Sequence, residues 1–547
     1  MSDPASASKP AQPRSALLLR PDTMGDLVLF APALRRLREG WPGTRLAVVI
    51  RGAYLELARL LVPEAIWIPT QIDPFASGPG EAGTELARLL KAAGEFAPDL
   101  VVAACLRRSW LDTAVAAAVP ASRRVAFGSS EEDPFFGVQA RRWAGASRGA
   151  AFSETAPAAS GGQDWRRNFG LVDYLLGRTV TPVEPSLSVA PDLVDRAEGI
   201  LRKLGLEPGS FAACAAAGFA NVRIKTWPAE RYARVLSWLR RERGIRTLLI
   251  GQDDERDHLE ALRKSADGAL AEVWTGGAGD LPLLSAILSR SALFFGNDTG
   301  AMHLAAAVGR PIVAIFGGGT WPRFQPAARQ AIALLNPLPC FGCGWDCPFG
   351  DAPCVHAIGT GEVQNALADM LARTGSAGCE IRETRNLREP VVAFMGRTAD
   401  LSRQRSKAHL AREQKLEEIA LLAGEKDGEI SALKAATDEK DAEIASLKGA
   451  ADGKDAEIAS LKGAADEKDA EIASLKGATD EKDAEIASLK RATDEKDAEI
   501  AALARACEER LQLINRLDAD LRHYVHEAGR LQAEVLKMKV DPPRNLD

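Results

Sequence analysis

A fourteen-residue unit, KDAEIASLKGAADE, recurs with small changes from residue 440 to residue 495. Fourteen residues are two heptads, and such a repeat admits little besides a long helix with an apolar seam. With the isoleucines at heptad position a, Ile430, Ile444, Ile458, Ile472, Ile486 and Ile500 form one column. Leu433, Leu447, Leu461, Leu475, Leu489 and Leu503 then fall at d, and the frame extends back to Leu416 and forward to Met538. Ile at a with Leu at d favours two parallel strands. Glu443, Glu457, Glu471 and Glu485 at g, facing Lys448, Lys462, Lys476 and Lys490 at e, favour the same arrangement. The expectation is a parallel homodimeric coiled coil over 409–540, about 180 Å long if fully helical. Gly449, Gly453, Gly463 and Gly477 each weaken it by about 1 kcal/mol. The non-repetitive end, 500–538, is then its tightest part. A lone charged helix is the competing reading.

The residues before the repeat must supply the globular core. Residues 15–375 alternate short apolar runs with amphipathic segments, and the pattern restarts near Phe211. Strand candidates are Ala16 to Arg20, Arg45 to Arg51, Leu100 to Cys105, Phe211 to Ala217, Arg246 to Gly251, Val273 to Thr275, Ala292 to Gly296 and Pro311 to Phe316. Helix candidates are Leu27 to Arg38, Tyr54 to Leu61, Ala229 to Arg243 and Leu281 to Arg290. Alternation of this kind implies parallel sheets covered by helices on both faces. At roughly 100–200 residues per domain the stretch holds two similar halves. The division is 1–14 a disordered start, 15–190 and 191–375 two Rossmann-like domains, 376–408 a polar Arg-rich linker, and 409–540 the coil. Residues 129–165 read as an excursion or a surface loop.

Composition closes off several classes. The 69 basic and 75 acidic residues leave a net charge of −6, which offers no footprint for nucleic acid. None of the six histidines stands in an HExxH pattern, and no GxxxxGK(S/T) loop occurs. Residues 1–14 lack a basic start leading into an apolar stretch, so no secretory signal is read. The run Leu281 to Phe295 is too short and too interrupted to span a bilayer. Eight cysteines are sparse for 547 residues and fit a reducing compartment. The expected location is the cytoplasm, with peripheral contact at the inner membrane.

Three segments could carry chemistry. In RPDTMGDLVLF, Gly25 allows a tight turn and Asp26 opens a helix. Asp26 reads either as a helix cap or as a carboxylate at the carboxyl edge of a parallel sheet, where ligands of open α/β folds bind. In AGFANVRIKTWP, Lys225 precedes Pro228 at a helix start. It reads either as a surface lysine or as a fixed cation for a diphosphate. In LFFGNDTGAMHLAAAVGRP, Asn297, Asp298 and Thr299 can cap a helix. Gly300 lets an anion approach the backbone N–H groups there, and His303 sits one turn in.

In this order and spacing the three segments resemble the family 9 glycosyltransferases, the ADP-heptose:lipopolysaccharide heptosyltransferases and their relatives. The resemblance rests on MGD-LVLFAPALRRLRE, on K-x-WP-x-E-R from Lys225 to Arg231, and on NDTGAMHLAAAVGRPIVAIFG at 297–317. It covers about residues 15–375. It implies an α/β, GT-B fold: two Rossmann-like domains facing a cleft. It also implies inverting transfer of a sugar from a nucleotide diphosphate, with ADP-heptose favoured, to a hydroxyl of lipopolysaccharide core or a related glycan. No metal is essential to that reaction. Carried over, Asp26 deprotonates the acceptor and Lys225 stabilises the departing diphosphate. Asp298, Thr299, Gly300 and His303 line the donor site, and Glu255 contacts the ribose. The chain departs from the family at Cys214 to Gly218, where a His-Pro-Gly-Ala-like turn is usual, and in its appended coil. The competing class is a retired transferase domain displayed as a scaffold on the coil; a nucleotide-sugar epimerase of the same fold is a third option.

Cys340, Cys343, Cys347 and Cys354 lie within fifteen residues. Four thiolates could hold a structural zinc or iron ion; reduced structural thiols are the alternative. Cys507 falls at an a position of the coil.

Overall fold

The computed structural model describes residues 12–106, 108–128, 151–158, 162–218, 222–266, 271–276, 280–375, 378–450 and 462–488, with scattered positions up to 509. Most of 129–165, Cys507 and the expected tight end of the coil, 500–538, lie outside the described residues. The chain divides into two compact units, 1–399 and 400–547.

The first unit holds two wholly parallel sheets. One orders its strands β3-β2-β1-β4-β5-β6. They are β1 (Ser15–Leu19), β2 (Arg45–Arg51), β3 (Ile66–Thr70), β4 (Leu100–Ala103), β5 (Arg123–Phe127) and β6 (Glu154–Ala156). The other orders them β13-β12-β11-β10-β7-β8-β9. They are β7 (Phe211–Ala215), β8 (Arg246–Gly251), β9 (Ala271–Thr275), β10 (Leu293–Asn297), β11 (Ile312–Phe316), β12 (Gln330–Leu335) and β13 (Gly378–Glu383).

The helices about the first sheet are α1 (Met24–Gly40), α2 (Leu55–Leu61), α3 (Pro79–Phe96), α4 (Trp110–Ala118) and α5 (Asp164–Leu176). Those of the second half are α6 (Pro191–Lys203), α7 (Ala229–Arg243), α8 (Arg256–Ser265), α9 (Leu281–Ser289), α10 (Gly300–Ala307), α11 (Pro353–His356) and α12 (Thr360–Ala372), followed by the long α13 (Glu389–Ala450). The central strands β1, β7, β10 and β11 are buried along their whole length, as continuous apolar runs in doubly covered parallel sheets must be.

The two sheets share a core. One buried cluster runs from Leu18, Val28 and Leu34 through Phe169 and Leu175 to Met302, Ala305 and Ile312. It is continuous because α1 and α10 pack N-terminus to N-terminus, and two glycines permit the approach. A Cβ on Gly25 would sit 3.0 Å from His303 Cδ2 and 3.4 Å from Gly300 Cα. A Cβ on Gly300 would sit 3.2 Å from Gly25 N.

The expected polar linker 376–408 is corrected. Gly378–Glu383 pairs with β12 as a seventh parallel strand, and α13 begins at Glu389. The strand was hidden by its charge: Arg382 pairs with Asp369 at 2.7 Å, and Arg373 pairs with Glu380. Edge strands carry such charges on their exposed side.

In the second unit, α13 and a helical stretch over 462–488 lie together. Ile430, Thr437, Ala465 and Ile472 are buried, and all occupy a in the heptad frame. The carboxyl of Glu485 is pulled below its usual range by Lys482 and also feels Lys415. Seventy residues of continuous helix would separate Lys415 from Glu485 by about 105 Å, so the chain doubles back between the two stretches. The described residues thus form an antiparallel hairpin, with the seam filled from within the chain, rather than the single parallel rod expected from sequence.

Candidate active site

The site lies where the carboxyl ends of the two sheets face one another, at the α1–α10 contact. On the first-domain side, β1 ends at Leu19 and Arg20 to Thr23 lead into α1. Thr23 and Asp26 form a capping box: Thr23 Oγ1 donates to Asp26 Oδ2 at 2.6 Å, and Thr23 N donates to the same oxygen at 3.3 Å. The cap reading of Asp26 therefore holds in part. It leaves Oδ1, which lies 3.9 Å from Arg20 Nη2. Arg20 is buried, stacks 4.7 Å from the Phe30 ring centroid and donates to Ala104 O at 2.6 Å. Its Nε lies 3.2 Å from Asp22 Oδ1. Burial pushes Asp22 up to about 8 against the pull of Arg20, and Asp26 and Asp112 add to the rise.

On the second-domain side, β10 delivers Asn297 and Asp298 to the start of α10. Asn297 Oδ1 accepts from Trp227 N at 3.1 Å and from Tyr232 Oη at 2.8 Å. Those bonds fix the segment carrying Lys225, while Trp227 Nε1 donates to Ile358 O at 2.8 Å. Asp298 is buried, and burial raises its carboxyl. Lys225, Arg323 and a Thr320 hydrogen bond act against that rise, and the charge of Asp26 adds to it. One buried carboxylate thus senses the candidate base of the first domain and the candidate cation of the second.

Two buried polar atoms at the start of α10, Thr299 Oγ1 and His303 Nδ1, have no hydrogen-bond partner. Burial and the nearby Lys225 push His303 down to about 3, so it is a neutral ring. It packs edge-on to Phe324, with centroids 6.0 Å apart. Unsatisfied buried polar groups are costly unless something supplies partners, and here they line a helix N-terminus suited to an anion.

Glu255 is buried, and both of its oxygens meet backbone amides: Gly218 N at 2.7 Å and Gln252 N at 3.0 Å. It staples the turn after β8 to the loop after β7. The expected ribose contact would have to be made by a carboxylate already engaged in this way.

Cys340, Cys343 and Cys347 sit in the loop after β12, and Cys354 lies in α11 that follows it. Cys340 and Cys354 are buried, while Cys343 and Cys347 are half-buried. Burial and the neighbouring thiols push Cys340 up to about 12; burial likewise carries Cys347 to about 12 and Cys354 to about 11. Among the described residues no three His, Cys, Asp or Glu side chains are grouped as a metal site requires. The loop instead lies on the glycine turn after β11. Gly342 N donates to Gly318 O at 2.7 Å and Gly344 N donates to Gly319 O at 2.9 Å. Phe341 and Trp345 cover Gly318 and Gly319 so closely that a Cβ there would fall within 2.2 Å of a ring carbon.

Sequence reasoning singled out Asp26, Lys225, Asp298, Thr299, Gly300 and His303, and the structure gathers all six. It passed over Arg20, Asp22, Asp164, Thr320 and Arg323. The only signal for the first two was their position just ahead of Gly25-Asp26.

Two wholly parallel sheets, each covered by helices and meeting at their carboxyl ends, make up the GT-B architecture. Residues 165–345, about a third of the chain, match the family model "Glycosyltransferase family 9 (heptosyltransferase)". It is 29% identical over 114 residues to lipooligosaccharide heptosyltransferase 2 of Haemophilus influenzae, a match covering 20% of this chain and 32% of that protein. It is 32% identical over 111 residues to lipopolysaccharide heptosyltransferase 3 of Escherichia coli, again covering 20% and 32%. The sequence matches thus span about a third of the length of these curated relatives. A family 9 glycosyltransferase structure from Veillonella parvula shares the fold at a TM-score of 0.51 and 19% identity, covering 66% of this chain and 98% of that one. Among the described residues no helix is long and apolar enough to cross a membrane.

Proposed function

We propose that the chain is an inverting glycosyltransferase that moves a sugar from a nucleotide diphosphate, ADP-heptose in the first instance, to a hydroxyl of a lipopolysaccharide-core or related glycan. The acceptor oxygen attacks the anomeric carbon, and its proton passes to Asp26. The bond from that carbon to the diphosphate breaks, and its electron pair leaves with the phosphate oxygen. Lys225 and the N–H groups at the start of α10 stabilise that charge, the part a metal plays elsewhere. Thr299 and His303 hydrogen-bond the donor, and the neutral ring of His303 can donate or accept without adding charge.

The observation that carries this reading is the close approach of Gly25, next to Asp26, to Gly300 and His303 of α10, beside two buried polar atoms that lack partners; the charges of Asp26 and Lys225 both act on Asp298 there. A scaffold with no substrate would gain stability by satisfying those atoms. On this reading the protein meets its acceptor peripherally, at the cytoplasmic face of the inner membrane. The test is release of ADP from ADP-heptose with a lipopolysaccharide-core acceptor. Asp26→Ala should lower kcat by about 10²–10⁴-fold, the usual contribution of a general base, while leaving ADP binding intact. Lys225→Ala should weaken ADP binding as well. ADP release unaffected by Asp26→Ala would remove that carboxylate from the mechanism.

A further inference from the structure

We propose that Asp164 and Arg323 form a positioning latch that holds the two domains closed on one another, so that Asp26 faces the donor. Asp164 opens α5, which belongs to the first domain: Asn168 Nδ2 donates to Leu29 O of α1 at 3.2 Å, and Phe169, Leu171, Val172 and Leu175 are buried. Arg323 lies in the second domain, in the loop after β11. Its Nε donates to Asp164 Oδ1 at 3.0 Å and its Nη2 donates to Oδ2, a two-pronged pair. A backbone bond runs the other way, from Asp164 N to Arg323 O at 2.8 Å. The side chains are 2% and 12% exposed. Arg167 also donates to Asp164 Oδ1, at 3.3 Å, from within α5, so the pair with Arg323 is the one that reaches across to the second domain.

The latch reaches the site on both sides. Arg323 stacks 5.0 Å from the Phe324 centroid, Phe324 meets His303, and the Arg323 charge acts on Asp298. On the other side, α5 carries the latch to α1 and so to Asp26. The other contacts between the domains described above, the shared apolar core and the approach of Gly25 to Gly300, bring no charge pair. Opposite charges meeting across a cleft can part when it opens and meet again when it closes, the motion that lets a donor enter and then excludes water. The inference rests on the transferase reading for what the closed state achieves, but not for the closure itself.

The experiment is hydrogen exchange by mass spectrometry on the full chain, comparing the unaltered protein with Asp164→Asn, Arg323→Gln and Arg323→Lys. In the first two, amides in 20–27 and 298–305, which do not touch the pair, should exchange several-fold faster, together with those of 163–167 and 320–326. Arg323→Lys keeps the charge but not the fork and should fall between. Where Asp164→Asn does not fold, Arg323→Gln gives the same reading from the less deeply buried side of the pair. In ADP-heptose turnover the first two variants should lose about 10²-fold in kcat, as for a misplaced reacting group, with ADP affinity within two-fold of the original. Faster exchange confined to 163–167 and 320–326 overturns the latch. If ADP release fails to depend on Asp26, the transferase reading falls while the exchange result still decides the latch.

Discussion

Asp22 sits at 8% exposure with one carboxyl oxygen that has no hydrogen-bond partner and a guanidinium 3.2 Å away. Its carboxyl stands near 8 against an ordinary 3.8, so between those values the folded chain holds a proton that the unfolded chain has released. Stability must fall as pH rises through that interval, by about 1.4 kcal/mol per pH unit for one proton. Asp112, raised to about 6 by burial, acts in the same direction up to that pH. His303 acts oppositely: depressed to about 3, it adds stability as pH rises from there to its unfolded value of 6.5 and is neutral above it. From pH 6.5 to 8 the Asp22 effect therefore stands clear of both. Denaturant unfolding should show the original protein losing roughly 2 kcal/mol across that window, with Asp22→Asn nearly flat. Equal slopes would mean that Asp22 is ionised throughout. None of this was legible in RPDTMGD, because the letters show a charged Arg-Pro-Asp start but not the depth at which folding sets it. The cap reading of Asp26 was legible because Gly25 marks a turn just ahead of it, and the capping box with Thr23 is a local arrangement.

Elements whose signal is local were read well, and those defined by a partner were not. Arg45–Arg51, Ala229–Arg243 and Arg246–Gly251 appear as expected, since an apolar run or a helical period suffices to mark each. The strands Ile66–Thr70, with Pro69 inside it, and Gln330–Leu335 were missed, although each earns its place by pairing with a neighbour far away in the chain. The fourteen-residue repeat shows the same division. Its frame is visible in the burial of Ile430 and Ile472, yet a seam built from like units fits a second copy and a later stretch of the same chain equally well. The hairpin makes a definite prediction. Ile430→Cys combined with Ile472→Cys should be joined within one chain by a short bismaleimide, so the product migrates as a monomer and neither single variant reproduces it. A parallel pair would instead join Ile430→Cys to its own copy and give a dimer band.

At the scale of the whole molecule the question is where the globular body ends. Composition placed its end at residue 375, because the next stretch is polar and rich in arginine. The structure carries the body on through β13 and the first turns of α13, where Met395, Thr398 and Ala399 are buried. Gly396 lies close to Pro339 at the start of the cysteine loop, with a Cβ there 3.4 Å from the proline ring. That loop presses Phe341 and Trp345 on the glycine turn leading to Thr320 and Arg323, so the end of the body supports one wall of the site. A chain ended after residue 375 loses the β12–β13 pairing and the burial of Met395, at a cost of at least about 3 kcal/mol. At roughly 2 °C per kcal/mol for a body of this size, it should melt some 5 °C or more below the full chain and release ADP more slowly. A chain ended near residue 405 keeps all of these contacts. It should melt within about 2 °C of the full chain and turn over ADP-heptose at the same rate per molecule. If the longer truncation loses activity as the shorter one does, residues beyond 405 take part in the proposed reaction and the unit ending at residue 399 does not act alone.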